Sequence, residues 1–489
     1  MEWKELLTTE RLAEEEKEPS EFDNYYISPF ERDYEKIVSS AAFRRLQDKT
    51  QVFSLSRSDF VRTRLTHSIE VSTIAKQLGI MCFNNKSEYL HLPIDPDETE
   101  DDELRKTRIQ DVEAVLSCAG LLHDLGNPPF GHVGEEIIRE WFKNNLEKIY
   151  IKNGDSEKPV FDVLKQEHIQ DLENFEGNAQ AFRILAKARY GSEINLPYSI
   201  MSALVKYPTA CDEMDETAII RHKLGYYQAE KDTFMRIAQN VGTINVEGRV
   251  IRHPLAYLLE AADDIAYMTA DLEDAVKSGM VSVNELLNFF QDNYKEEGRN
   301  KGESNIHIIY TKNAIEKLEY YNQQEEDAAK VINHWGTYLR RWLMYVACWR
   351  FSKSYENIIQ GTYEYDLFYK TNHSLTVVLL KQAMKKFVYN SRKIMEPEVA
   401  AQNILSFLLD RFVPAIVRMD SVEMTPQDKK LILLVSPNYI DDYYKAKNTD
   451  NITDEVELLY RRILISTDFI SGMTDGYAKT LYKKMSGTV

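Results

Sequence analysis

Chain breakers are scarce in this sequence, and that scarcity narrows the folds open to it. The 489 residues include only 19 glycines and 14 prolines, below the usual shares of about 7 % and about 5 %. Tight turns between short strands consume these residues, so a many-turned β architecture has too few of them. The expectation is an all-α, mainly helical fold. Apolar residues make up 43 % of the chain, enough for a sizeable core, which excludes disorder and collagen-like structure. Cys82, Cys118, Cys211 and Cys348 form no CxxC pair. That argues against a disulfide framework or a thiolate zinc site and for a reducing, cytoplasmic setting. The acidic N-terminus lacks the apolar core of a signal peptide, and no run of 18 or more apolar residues occurs, so no membrane partner is expected. A formal net charge of −18 repels polyanions in the far field.

Three stretches punctuate the chain. Seven acids in ten residues at 94–103 read as a solvated insertion. Turn residues mark 149–159, and the glycine-containing stretch at 294–305 reads as a subdomain boundary. The division expected is a catalytic core over 1–293 and a helical C-terminal region over 294–489 that completes the fold and supplies oligomer contacts. Within the core, apolar spacing predicts a helix from Thr63–Thr66 to Gly79. A second is predicted from an Asp111 cap to Gly126, and a third from Pro254 to Gly279.

Polar residues at particular points of these helices carry the chemistry. His123 and Asp124 fall at the end of the second helix. Side chains of adjacent residues diverge by about 100°, so both reach one metal only beyond the helix end. A lone His-Asp pair favours a structural reading. Three neighbours change that: His67 near a helix start beside Arg62 and Arg64, a rigid loop at 126–135 presenting His132 and Glu135, and Asp263, Tyr267 and Asp271 at i, i+4, i+8. The plain alternative for the last set is a solvated acidic stripe, which its apolar flanks oppose.

His67…His123-Asp124…Asp263 resembles the ligand set of the HD-domain phosphohydrolases. Longer blocks, FRRLQDKTQVF (43–53), VRTRLTHSIEV (61–71), GLLHDLGNPPFGHVGEE (120–136), NFEGNAQAFRIL (174–185), LGYY (224–227), EAADDIAYMTADLEDAV (260–276) and ISGMTDGYA (470–478), resemble the deoxyguanosine triphosphate triphosphohydrolases among them. The resemblance spans nearly the whole chain and is weaker over 84–110, 140–170 and 290–455.

That resemblance implies hydrolysis of a dNTP, dGTP foremost, at the α-phosphate, giving deoxynucleoside and tripolyphosphate. It implies a divalent ion, Mg2+ or Mn2+, held by His67, His123, Asp124 and Asp263, a mixed nitrogen and oxygen set. His132 is the candidate general acid for the 5′-oxygen, with Glu135 orienting it. Arg64, Lys206, Tyr207 and Lys223 fall to the phosphates, and Arg62 joins them or is a surface charge. Tyr267 would exclude a 2′-hydroxyl, Asp271 would meet the 3′-hydroxyl, and Gln51 and Val52 would lie on the base side. Glu176 and Asn178 would support the site or serve as local turn residues, and Arg462 would reach a neighbouring site. The resemblance further implies a homo-oligomer, hexamers among its forms, with single-stranded DNA or a dNTP as effector. Rival readings are a broad-specificity dNTP enzyme, an HD nucleotidase or phosphodiesterase, and a nucleotide-sensing regulator with a decayed site.

Overall fold

The computed structural model describes residues 1–13, 28–51, 62–84, 102–153, 156–191, 194–301, 306–371, 374–389 and 391–488. Among the described residues helices dominate, and the one sheet is a two-stranded antiparallel hairpin. Its strands β1 (Tyr150–Asn153) and β2 (Ser156–Pro159) pair Tyr150 with Pro159, in the stretch that turn residues mark.

The helices that build the site are α1 (Arg64–Phe83), α2 (Asp102–Leu122), α3 (Gly131–Asn145), α4 (Gly177–Ala186), α5 (Tyr198–Leu204), α6 (Pro254–Lys277), α7 (Ala328–Lys353), α8 (Arg392–Val417) and α9 (Glu455–Ser471). Thr63 caps α1 in a reciprocal pair with Thr66, which sets the helix start expected there. Gly79 does not stop it. A side chain there would lie 2.8 Å from Leu116 Cδ1, so this glycine lets α1 and α2 approach closely. Likewise α2 opens at Asp102, earlier than the Asp111 cap expected. Asp111 lies inside it and accepts from Ser28 Oγ at 2.8 Å. The end of the acidic stretch forms the first turn of α2, where carboxylates suit the helix dipole, and residues 94–101 of that stretch lie outside the described residues. The α6 reading holds at both ends. The His253 side chain caps its start by accepting from Leu255 N–H, and past its end Gly279 turns left-handed at φ +66°.

A helix over Val283–Lys301 runs through 294–301; that part of the expected boundary is helical, and 302–305 lie outside the described residues. Two apolar clusters hold the molecule together, and each draws on both sides of residue 293. The first joins Ile74 and Leu78 of α1, Val115 and Ala119 of α2, Ile265 and Met268 of α6, and Leu339 and Leu343 of α7. The second joins Ile138 and Phe142 of α3, Leu409 and Phe412 of α8, and Leu459 and Ile463 of α9. Each large apolar side chain among them contributes about 1.5–3 kcal/mol by leaving water. Leu125 belongs to the first cluster and Phe130 to the second, so the segment after α2 crosses between them.

Helix α8 is long and apolar enough over Ile394–Val417 to cross a membrane by length and composition. Its Leu408, Leu409, Phe412 and Val413 are buried in the second cluster, and its Asp410 accepts from Trp141 Nε1 at 2.7 Å. Its apolarity is that of a core helix. Cys82 of α1 and Cys348 of α7, distant in sequence, meet as free thiols with their sulfurs 3.0 Å apart.

Candidate active site

His67 stands in the first turn of α1, His123 and Asp124 in the turn leaving α2, and Asp263 in mid-α6. Packing of α1, α2 and α6 against one another brings them together. His67 Nε2 lies 3.1 Å and His123 Nε2 3.5 Å from Asp263 Oδ1, and His123 Nε2 is 3.6 Å from Asp124 Oδ1. One ligand atom each from His67, His123 and Asp263 fall within 4.8 Å of one another. Asp124 stands beside this trio rather than within it. His67 and His123 are 1 % and 3 % exposed.

Metal binding is tested by the orphaned atoms. His123 Nδ1 faces the Gly120 carbonyl oxygen at 2.8 Å, and its buried Nε2 has no hydrogen-bond partner. A neutral ring donating through Nδ1 leaves the Nε2 lone pair free, the arrangement of a metal-ligating histidine. Two imidazoles and carboxylate oxygens, with no thiolate near, fit a divalent ion. Burial opposes charge on His123, yet Asp124 and Asp263 outweigh it and raise its pKa. For Asp263 burial is outweighed by Lys206 and then His123, so its carboxyl stays well below the ordinary range. Asp124 is likewise held low, against burial, by Arg64 and both histidines.

Cations pair with the carboxylates of this site and its surroundings. Arg64 Nη1 donates to Asp124 Oδ2 at 2.6 Å, and Asn127 Nδ2 donates to Asp124 Oδ1 at 2.6 Å. Lys206, just past α5, pairs with Asp263 Oδ2. Its carbonyl oxygen accepts from buried Arg252, which is anchored by Glu260 at 2.6 Å. Arg252 escaped sequence reasoning because an arginine before a helix carries no pattern of its own. Tyr207 is buried, 6.0 Å from Lys223 Nζ measured to its ring centre. Lys223 pairs with Glu176 at 3.2 Å, and Asn178 donates to Glu176 at 3.1 Å. Glu176 and Asn178 therefore hold Lys223 in place.

His132 opens α3 and is the exposed member of the set, its side chain 80 % accessible. Its Nδ1 lies 3.2 Å from Glu135 Oε2, while Glu135 Oε1 accepts from Gly177 N–H at 2.9 Å. A side chain at Gly177 would collide with Asn127 Oδ1 at 1.9 Å, so only glycine permits this approach. The hydrogen bond to Glu135 raises the His132 pKa. Glu135 is lowered, because His132 outweighs the burial that would raise it.

Tyr267 and Asp271 follow Asp263 along α6. Asp271 is 1 % exposed with Oδ2 unpartnered, and burial pushes its carboxyl up to about 7. Tyr389 stacks on Tyr267, ring centres 6.1 Å apart at 12°. No sequence signal pairs these tyrosines, since their meeting depends on how the segment ending at Tyr389 packs against α6. Gln51 keeps a buried, unpartnered Oε1; Val52 lies outside the described residues.

Arg62 is held by Glu70 at 3.0 Å, Glu273 at 2.8 Å and Asp274, so it is not a plain surface charge. Arg462 donates to the Met419 carbonyl oxygen at 2.7 Å, tying α9 to the end of α8.

Helical packing around a His/His-Asp/Asp set defines an HD-type protein, and the HD domain family model matches residues 64–173. Two proteins called deoxyguanosinetriphosphate triphosphohydrolase-like, from Listeria monocytogenes and Synechocystis, are 40 % and 30 % identical. They align over 100 % of this chain and 100 % and 99 % of their own lengths. A deoxyguanosinetriphosphate triphosphohydrolase of Serratia proteamaculans is 29 % identical over 96 % of both chains. The chain belongs to the deoxyguanosinetriphosphate triphosphohydrolase-like family of HD-domain proteins.

Proposed function

We propose that this enzyme hydrolyses deoxynucleoside triphosphates, dGTP foremost, at the α-phosphorus, releasing deoxynucleoside and intact tripolyphosphate. The observation that carries the reading is the juxtaposition of the His67/His123/Asp263 trio, the Arg64, Lys206 and Lys223 cations, and the His132–Glu135 pair. His67, His123, Asp124 and Asp263 would hold Mg2+ or Mn2+, which when bound supplies Lewis acidity and an activated water. Arg64, Lys206 and Lys223 neutralise the triphosphate, and Tyr207 packs beside Lys223. With Nδ1 on Glu135, His132 carries the transferable proton on Nε2 and delivers it to the departing 5′-oxygen, a poor leaving group when unprotonated.

Tyr267, backed by Tyr389, fills the space beside a 2′-hydroxyl, and Asp271 is the partner for the 3′-hydroxyl. Gln51 and Val52 take the base side. The setting is the cytoplasm, and the chain works as a homo-oligomer, its 294–489 region completing the fold and supplying contacts. Incubation with each dNTP and Mg2+ or Mn2+, followed by product separation, tests the reading. Deoxynucleoside plus tripolyphosphate is expected; orthophosphate or pyrophosphate as first product overturns it. Broad turnover of all four dNTPs, or stimulation by a second dNTP or by single-stranded DNA, would replace dGTP preference with regulated breadth.

A further inference from the structure

The ISGMTDGYA block near the C-terminus contributes no side chain to the chemistry above, yet it touches the site at a strained point. Phe130 precedes α3 with φ +64°, ψ +14°, and Gly131 follows at φ +63°. Glycine takes that left-handed conformation freely, and at Gly131 it also leaves room for Arg64, whose Nη2 would lie 2.6 Å from an added Cβ. Phenylalanine does not take it freely, so surrounding contacts must hold Phe130 there.

Those contacts come from far along the chain. Phe130 N–H donates to Asp475 Oδ1 at 3.0 Å. The other oxygen of the same carboxylate accepts from Thr50 N–H at 3.2 Å and from the Thr50 hydroxyl. Asp475 is 4 % exposed, so water does not compete for these bonds. One carboxylate therefore joins the turn that aims His132 to Thr50, the neighbour of Gln51. Lys49 reinforces the clamp: its buried ammonium donates to the carbonyl oxygens of Asn127 at 2.6 Å and Ser471 at 2.7 Å.

We propose that Asp475 is a positioning residue of the active site, holding the left-handed Phe130–Gly131 turn so that His132 and Glu135 face the trio. The inference rests on the reading of His132 as general acid. A misaligned proton donor slows chemistry more than binding, because His67, Asp263, Arg64, Lys206 and Lys223 lie on other elements than the Phe130–Gly131 turn.

The test compares D475A, D475N and T474A in the full chain. Thr474 caps the helix Asp475–Ser486, which Asp475 opens, through Tyr477 N–H, and its side chain bonds neither Phe130 nor Thr50. For D475A, kcat on dGTP should fall between about tenfold and a hundredfold, with KM within about threefold. Amide exchange should quicken in peptides covering 125–140 and stay unchanged over 455–470. D475N keeps an acceptor for Phe130 but turns a donor toward Thr50, so its kcat should lie between wild type and D475A. T474A should keep wild-type kcat. The proposal is overturned by wild-type kcat in D475A, by an equal loss in T474A, or by protection lost evenly across both peptides. If D475A does not fold, D475N decides, and wild-type kcat there overturns it. Wild-type protein without dGTP turnover would remove the functional reading, while exchange at 125–140 still reports on the clamp.

Discussion

Two kinds of histidine belong to the candidate site. His67 and His123 are sealed at 1 % and 3 % exposure, on elements of the first apolar cluster. His132 stands 80 % exposed on a helix of the second. Burial suits a ligand, whose lone pair must be aimed and kept from water. Exposure suits a proton donor, which must be recharged from solvent between turnovers. The candidate site therefore draws on two packing units, and the 123–131 segment connects them.

Substitutions on the buried side should have the largest effect. Asp263→Ala or His123→Ala should lower kcat/KM for dGTP by about a thousandfold or more, since Lewis-acid stabilisation is worth several kcal/mol. Chelation of wild-type enzyme should do the same, reversed by adding Mg2+ or Mn2+. Retention of most activity would dissolve the contrast between the two histidine types.

On the exposed side, His132→Gln should lower kcat by about 10²–10⁴ while divalent-ion binding, read by calorimetry, stays as in wild type. A subtler effect belongs to Glu135. Because it raises the His132 pKa, Glu135→Gln should let that value fall, and the alkaline limb of the kcat profile should move to lower pH. The same linkage has a stability sign: the His132–Glu135 contribution is full below the unfolded histidine value of about 6.5 and is lost as pH rises through the raised folded value. Exposure keeps that contribution small. Arg62→Met should affect activity least, with KM within about twofold of wild type and a lower melting temperature, because its removal takes the ion-pair partner from buried Asp274. A large rise in KM would return Arg62 to the phosphates.

The residues proposed as ligands were legible in the sequence because His67 opens a helix, His123 and Asp124 close one, and Asp263 falls inside an apolar-flanked helical run. Glycine and proline mark where α2 must end, and a proline marks where α6 begins. The early start of α2 was hidden by acids that read equally well as loop or first turn. The continuation of α1 past Gly79 was hidden because a glycine signals either a stop or a close approach, and only the facing Leu116 distinguishes them. Arg62 resembled a phosphate ligand, and the sequence did not show that Glu273 and Asp274, more than 200 residues away, join nearby Glu70 around it.

By itself the sequence determined helicity, through the scarcity of breakers, and the residue types of the site, through local spacing. Tertiary structure decided which carboxylates each cation meets, one each for Arg64, Lys206 and Lys223 and three for Arg62. It also paired Tyr389 with Tyr267, set Arg252 behind Lys206, and brought Asp475 to Phe130. The physical reason is range. Helix propensity and capping act within about a turn, whereas ion pairs, ring stacking and the support of a strained turn depend on distances that exist only after both apolar clusters have packed.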